Sequence, residues 1–520
     1  MSIITNESET LLTPQTLPQG DVVRSLPVKI EKFDATTANK RPFADPTYLF
    51  ACTLERYVHR LRVLSGALPI AGRLADTLMQ EADPEAQRRI IGDPVVRASI
   101  NEGLTQIHFG KSTFTADEIG EVLLVALDIL REQKPVSTLQ LGAHDPIPFI
   151  PSQNHGWFWS NKRDQDAPAR FFRKLYGVLE ANKSVLVTPT EKDREIISQA
   201  IDLLIAVLPR LSRSALEHVH LVCLCDPPEE HQNRNVHFSS FTSIKIPGTI
   251  FLGRSSLRHP WKIAEAILHE SLHEKLYCFQ HTHSLFCKLG FDAAPKVRAL
   301  WNRPQKTQNN WWPLSRAIFA LHVYVHLAML FEAMQMQCAR LESLFGSNDG
   351  LDLPAWKRRA LDRAQYLIYH VSQFTDELGP AGYALLRWLT ALLQQNDPAP
   401  PEPGSYVHLL LDLYQRETAQ LAEQHRGLHH LPPLVKHDLE RKLHTETAIA
   451  DQILSAVGIP FPQIYDNGSG GIVSRLEMVR SNIGDRLRCL SLRQCELPIC
   501  LGPRETTIGE AVQGLVLSEL

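Results

Sequence analysis

The chain has 520 residues, 44% hydrophobic and 21% charged, which is ordinary globular usage and excludes a disordered, collagen-like or disulfide-scaffold protein. Lys and Arg total 54 against 57 Asp and Glu, a formal net charge of −3, so no global basic field exists to hold nucleic acid or an anionic membrane surface. The nine cysteines are odd in number and widely spread, unlike a secreted disulfide framework.

The first twenty residues lack the basic and apolar regions of a signal peptide. No run approaches the roughly 18 uninterrupted apolar residues of a membrane helix. The expectation is a cytoplasmic protein with neither nucleic-acid nor membrane partners, and the sequence is silent on oligomeric state.

Residues 1–45, rich in Thr, Ser and Pro, are expected to form a loosely ordered arm. Residues 46–215 form an N-terminal helical region, with apolar residues at helical spacing over 118–131, 167–179 and 191–211. An irregular aromatic segment interrupts it at 144–162, where Gly156-Trp157-Phe158-Trp159 is either a core plug or a wall facing substrate. Strand-like patterns occur only in the middle, at 218–225, 236–246 and 249–252, with Pro247-Gly248 as a turn. Helical patterning resumes over 261–289 and 313–344. The clearest linker is 397–405 (DPAPPEPGS), ahead of a C-terminal helical region at 405–520. The expected fold is mainly α (α+β), a helical protein with a small antiparallel sheet beside one informative helix, its catalytic core at 216–396.

That helix contains His269-Glu270-Ser271-Leu272-His273, an HExxH. Positions four apart on a helix share a face, so both imidazoles can reach one metal ion, and Glu270 lies near enough to orient a metal-bound water or oxygen species. Ala264, Leu268, Leu272 and Leu276 form an apolar stripe that would bury the helix, and Pro260 suits its first turn. The plain alternative is a pair of core histidines beside a solvated glutamate.

A third ligand is sought nearby. His281 and His283 lie at least about 12 Å further along the helix axis and are expected at the surface. His322 and His326, again four apart on the next long helix, are the better candidates, one as ligand and the other supporting it. The metzincin continuation fails, because Leu276 and Phe279 stand where Gly and His are required. A thermolysin-like Glu fails too, since Met336 stands where Glu332 would need an Asp. Three histidines with open positions suit Zn²⁺ or Fe²⁺.

The succession FTSIKIPGTIFLG, HPWKIAEAILHESLHEKL and WWPLSRAIFALHVYVHLAMLFEAM resembles the HExxH-type 2-oxoglutarate-dependent peptide β-hydroxylases, enzymes that modify ribosomally made peptides. The resemblance covers about 220–340. It implies Fe(II) and 2-oxoglutarate as cofactors, a precursor peptide as substrate, and hydroxylation of a β-carbon with release of succinate and CO₂. By motif position it implies His269, His273 and His326 as iron ligands, with His322 the alternative third ligand and Glu270 close to the metal. The family's second helix carries a Tyr and, two residues on, often a His, matched by Tyr324 and His326. An intracellular zinc metallopeptidase using Glu270 is the competing enzyme, and a non-catalytic peptide-binding protein with a degenerate site is the third possibility.

The distal carboxylate of 2-oxoglutarate needs a cation, because a buried unpaired carboxylate is costly. Arg316 and Arg258 are the candidates, with Arg254 nearby. Cys489, Cys495 and Cys500 fit no common zinc module, and 467–471 lacks the Lys-Ser/Thr of a phosphate-binding loop. Cys223 and Cys225 would share one face of a strand and pack in a core.

Overall fold

The computed structural model describes residues 27–38, 42–80, 83–131, 144–147, 156–160, 165–180, 184–228, 240–287, 295–301, 311–348, 350–397 and a few positions between 400 and 441. The expected linker apart from Asp397 and Pro400, most of the C-terminal region, Cys489, Cys495, Cys500 and the glycine-rich segment 467–471 lie outside them.

The chain opens with helices α1 (Val28–Ala38), α2 (Pro46–Leu64), α3 (Pro69–Gln80), α4 (Pro84–Gly92), α5 (Pro94–Phe109) and α6 (Ala116–Arg131). Several begin with proline at the first turn behind an aspartate cap. Asp45 accepts from Tyr48 N, Asp83 from Glu85 and Ala86 N, and Asp93 from Val95 and Val96 N. Each cap satisfies helix N–H groups that have no intrahelical partner. Strands β1 (His144–Ile147) and β2 (Gly156–Trp159) precede α7 (Ala167–Glu180), β3 (Val185–Val187), α8 (Glu191–Val207) and α9 (Pro209–Leu216). Pro209 ends the long helix expected over 191–211, and the chain restarts as α9.

Then come β4 (Leu221–Asp226), β5 (Phe241–Thr242), β6 (Thr249–Gly253) and the long helix α10 (Pro260–Thr282). The hairpin β7 (Lys296–Arg298) and β8 (Trp311–Pro313) leads into α11 (Leu314–Met336), α12 (Cys338–Phe345), α13 (Leu353–Val371) and α14 (Pro380–Asn396). The protein is mainly α with a small sheet, as expected, but the main sheet is mixed rather than antiparallel. Its order is β1-β2-β4-β6-β5, with β3 also paired to β4, and both β2–β4 and β4–β6 run parallel.

The sheet separates two apolar cores. Val222 and Leu224 of β4, with Ile250 and Leu252 of β6, face the core built by α8, α9, α10, α11, α13 and α14. Leu221, Cys223 and Cys225, with Phe251, face the core built by α2 to α7. This is the period-2 alternation of a strand buried on both sides.

Three expectations are corrected. Gly156–Trp159 is not irregular but a fully buried strand, β2. The supposed arm contains α1, whose Ile30 and Phe33 are buried, and Phe43, which is buried against α10, α11 and α14. Residue 215 is not a packing boundary, since α8 before it packs on α10 after it. α11 alone among the described helices is long and apolar enough to cross a membrane, and most of it is buried inside the fold.

Candidate metal centre

α10 starts where His259 caps it, its Nδ1 accepting from Trp261 N at 3.3 Å while Nε2 donates to Ser347 O at 2.8 Å. Trp261, Ala264, Leu268, Leu272 and Leu276 are all 0% exposed, so the stripe expected to bury the helix does so. Glu274 fixes the middle of the helix to the sheet by contacting Thr242 and accepting from Gly248 N. The His269–His273 stretch is therefore held from both ends and from the side.

His269 and His273 stand on one face of α10 with ring centroids 5.1 Å apart. Both are half-buried. Burial drives the His273 imidazole well below its usual pKa, helped by the charges of His269 and Arg316, so this ring is neutral, the form that binds a metal. Its Nδ1 is buried without a hydrogen-bond partner. Burial pushes His269 the same way, but the Glu265 carboxylate and the charge of Glu270 outweigh it and hold its pKa above the usual value. Glu265 Oε1 lies 3.5 Å from His269 Nδ1, the orienting position a carboxylate takes behind a metal-binding imidazole. Glu270 is 3% exposed, and burial raises its pKa against the opposing effects of His269 and Ser240.

Cations and aromatic rings line the side of α10 that carries this pair. Tyr277 lies 6.3 Å from His273 and 5.2 Å from Phe319, centroid to centroid. The Arg316 guanidinium lies 4.8 Å from the Trp312 ring, and its charge acts on both His273 and Tyr277. From α13, Arg363 sits 5.4 Å from both the Trp301 and Tyr324 rings, Nη1 donates to Tyr324 OH at 3.5 Å, and its charge reaches His269.

The structure brings Glu270 and Arg316 to His269 and His273. His322 lies near enough for the charge of His273 to act on it, but neither it nor His326 joins the pair in a group that could hold a metal among the described residues. On α10, Lys275 lies on the flank opposite His273. It donates to Ser214 Oγ at 2.9 Å, with its ammonium 4.4 Å from the Phe43 ring. His322 packs edge-on to Phe43 at 5.2 Å, and neither of its ring nitrogens has a partner. His326 Nδ1 donates to His322 O at 2.7 Å, and its ring rests 5.6 Å from Trp388. These two histidines, 0% and 1% exposed, lie on a different face of α11 from Arg316, which stands six and ten positions before them. Burial lowers the pKa of both, His326 to about 4. Among the described residues no three His, Cys, Asp or Glu side chains gather closely enough to hold a metal. The residues present fit two imidazole ligands and a neighbouring carboxylate, without a third protein ligand from α11.

Arg258 is exposed two residues before α10, whose first residue is already about 14 Å along the axis from His269, and takes no part in this site. Arg254 is held by Asp193 at 3.1 Å and Asp226 at 3.8 Å. His281 and His283, expected at the surface, are half-buried. Arg363, Tyr277, Ser240 and Glu265 were not singled out in the sequence. Of these, only Glu265 carried a local signal, its four-residue spacing from His269.

No protein-family model matches the chain, and no curated protein matches it.

Proposed function

We propose that the chain is an Fe(II)/2-oxoglutarate-dependent hydroxylase acting on a β-carbon of a residue in a ribosomally made precursor peptide, in the cytoplasm. The observation that carries this reading is the half-exposed His269/His273 pair set against Arg316 and Arg363. Hydrolytic zinc needs no cation pair beside it, whereas a dicarboxylate co-substrate does. When bound, iron with 2-oxoglutarate supplies the oxidising chemistry for a C–H bond. The chain's own residues have simpler tasks. His269 and His273 present imidazoles, and Glu265 fixes the His269 ring. Arg316 and Arg363 receive carboxylate charge, and Trp301, Trp312 and Tyr324 exclude water around it. Glu270, with its raised pKa, holds or accepts a proton at the edge of the pair.

The test is metal content of anaerobically purified protein, with succinate measured after adding Fe(II), 2-oxoglutarate and O₂. Iron near one per chain with succinate formation, both lost in His269→Ala, supports the proposal. Bound zinc with peptide cleavage abolished in Glu270→Gln replaces it with a metallopeptidase. Neither metal nor turnover leaves a peptide-binding protein.

A further inference from the structure

Past His273, α10 runs about 12 Å further to His281 and enters a second polar cluster. α2 contributes Arg56 and Arg60, and α5 contributes Arg97. Two guanidiniums share the Tyr57 ring, Arg60 at 5.0 Å and Arg97 at 5.6 Å from its centroid. Arg60 Nη1 donates to Asn101 Oδ1 at 2.8 Å, and Asn101 Nδ2 donates to Tyr57 OH at 3.4 Å. Arg97 gives Nε to the Ile91 carbonyl and Nη1 to Cys278 Sγ at 3.6 Å. None of these acceptors is a carboxylate.

Among the described residues, no Asp or Glu forms an ion pair with Arg56, Arg60 or Arg97. Glu274, the carboxyl group near Arg97, is committed to Thr242 and Gly248. Arg97 is nevertheless only 3% exposed. Burial works against the Arg97 charge but Cys278, Tyr57 and Glu274 outweigh it, whereas burial with the charges of Arg56 and Arg97 lowers the pKa of Arg60, a cost that an anion would relieve. His281 supplies the second sign, because its Nε2 is buried with no hydrogen-bond partner and feels the charges of Arg60, Arg97 and Arg56. Exposure falls from exposed Arg56 through half-buried Arg60 and His281 to buried Arg97.

We propose that Arg56, Arg60, Arg97 and His281 form a binding site for a small oxyanion, a carboxylate or phosphate group, separate from the His269/His273 pair. Guanidinium forks match either group, and a neutral imidazole can add one N–H. Burial together with the three arginines holds His281 down to about 3, so it meets the anion uncharged.

The test uses the full chain, with thermal shift and calorimetric titration by inorganic phosphate and by succinate, each against sodium chloride at matched ionic strength. A saturable rise in Tm with either anion is expected, and the tighter of the two identifies the group preferred. Arg60→Gln and Arg56→Gln should each weaken binding by about tenfold or more, whereas His269→Ala should bind as the parent does. Arg56→Gln, on the exposed rim, carries the test if Arg60→Gln fails to fold. An ionic-strength effect only, equal with chloride, overturns the site. So does binding that His269→Ala abolishes and the arginine variants do not change.

Discussion

The Glu274 carboxyl accepts the backbone N–H of Gly248, so the residue following His273 pins the histidine-bearing helix to the turn before β6. Its other oxygen meets the Thr242 hydroxyl, which also lies 3.0 Å from Thr249 O. One hydroxyl proton cannot serve both oxygens, and the Thr249 carbonyl has none to give. A protonated Glu274 supplies the missing one, and burial accordingly raises its pKa from 4.5 to about 8.

Glu274→Gln should therefore keep both hydrogen bonds and stay within about 1 kcal/mol of the parent near neutral pH, while Glu274→Leu should lose about 2–3 kcal/mol by orphaning two buried groups. The linkage sign is set by a folded pKa above the unfolded one. The folded state holds the extra proton between about pH 4.5 and 8, so this contribution is complete below that window and declines as pH rises through it. Denaturant melts across pH 5–8 should fall less steeply in Glu274→Gln than in the parent. Parallel slopes would refute the protonated carboxyl.

Gly248 has φ +92°, and a Cβ there would stand 3.3 Å from both Gly92 O and the His220 ring. Gly248→Ala should cost about 1–3 kcal/mol, read as a lower midpoint at unchanged m-value.

His269→Ala and His273→Ala should each abolish metal retention. His322→Leu should retain metal and melt at the same or a higher temperature, because it replaces two unpaired ring nitrogens in an apolar setting with an apolar side chain of similar size. Metal analysis and thermal melts on the same preparations check both halves. Metal lost in His322→Leu would restore α11 as a ligand source.

Arg316→Gln and Arg363→Gln should each raise KM for 2-oxoglutarate about tenfold or more with a smaller effect on kcat, the pattern of a lost carboxylate partner. Arg258→Gln, exposed and remote, should change neither parameter.

How far the sequence revealed the fold and site depended on the range of each signal. α10 and its apolar stripe were legible because helix periodicity is local, and so was the alternation that packs Cys223 and Cys225 together. β2 was misread because a strand buried on both faces shows no alternation, and Gly156–Trp159 is only four residues long. The place of His326 was hard to read for a different reason. Four-residue spacing shows that His322 and His326 share a face of α11, but not which side of α10 that face meets, and Phe43 from a distant segment fills the intervening space. Arg363 had no local signal, since its relation to His269 exists only once α13 has packed.

β4 gives alternate side chains to two cores, and this has a consequence for how the molecule comes apart. A fragment starting near residue 216 would keep β4 and β6 but leave Leu221, Cys223, Cys225 and Phe251 facing water, while the preceding fragment would lose the surface on which Trp157 and Trp159 rest. Neither half can then melt alone. Heat or protease acting on one core destabilises the other through a single six-residue strand, and the described body should unfold cooperatively as one unit.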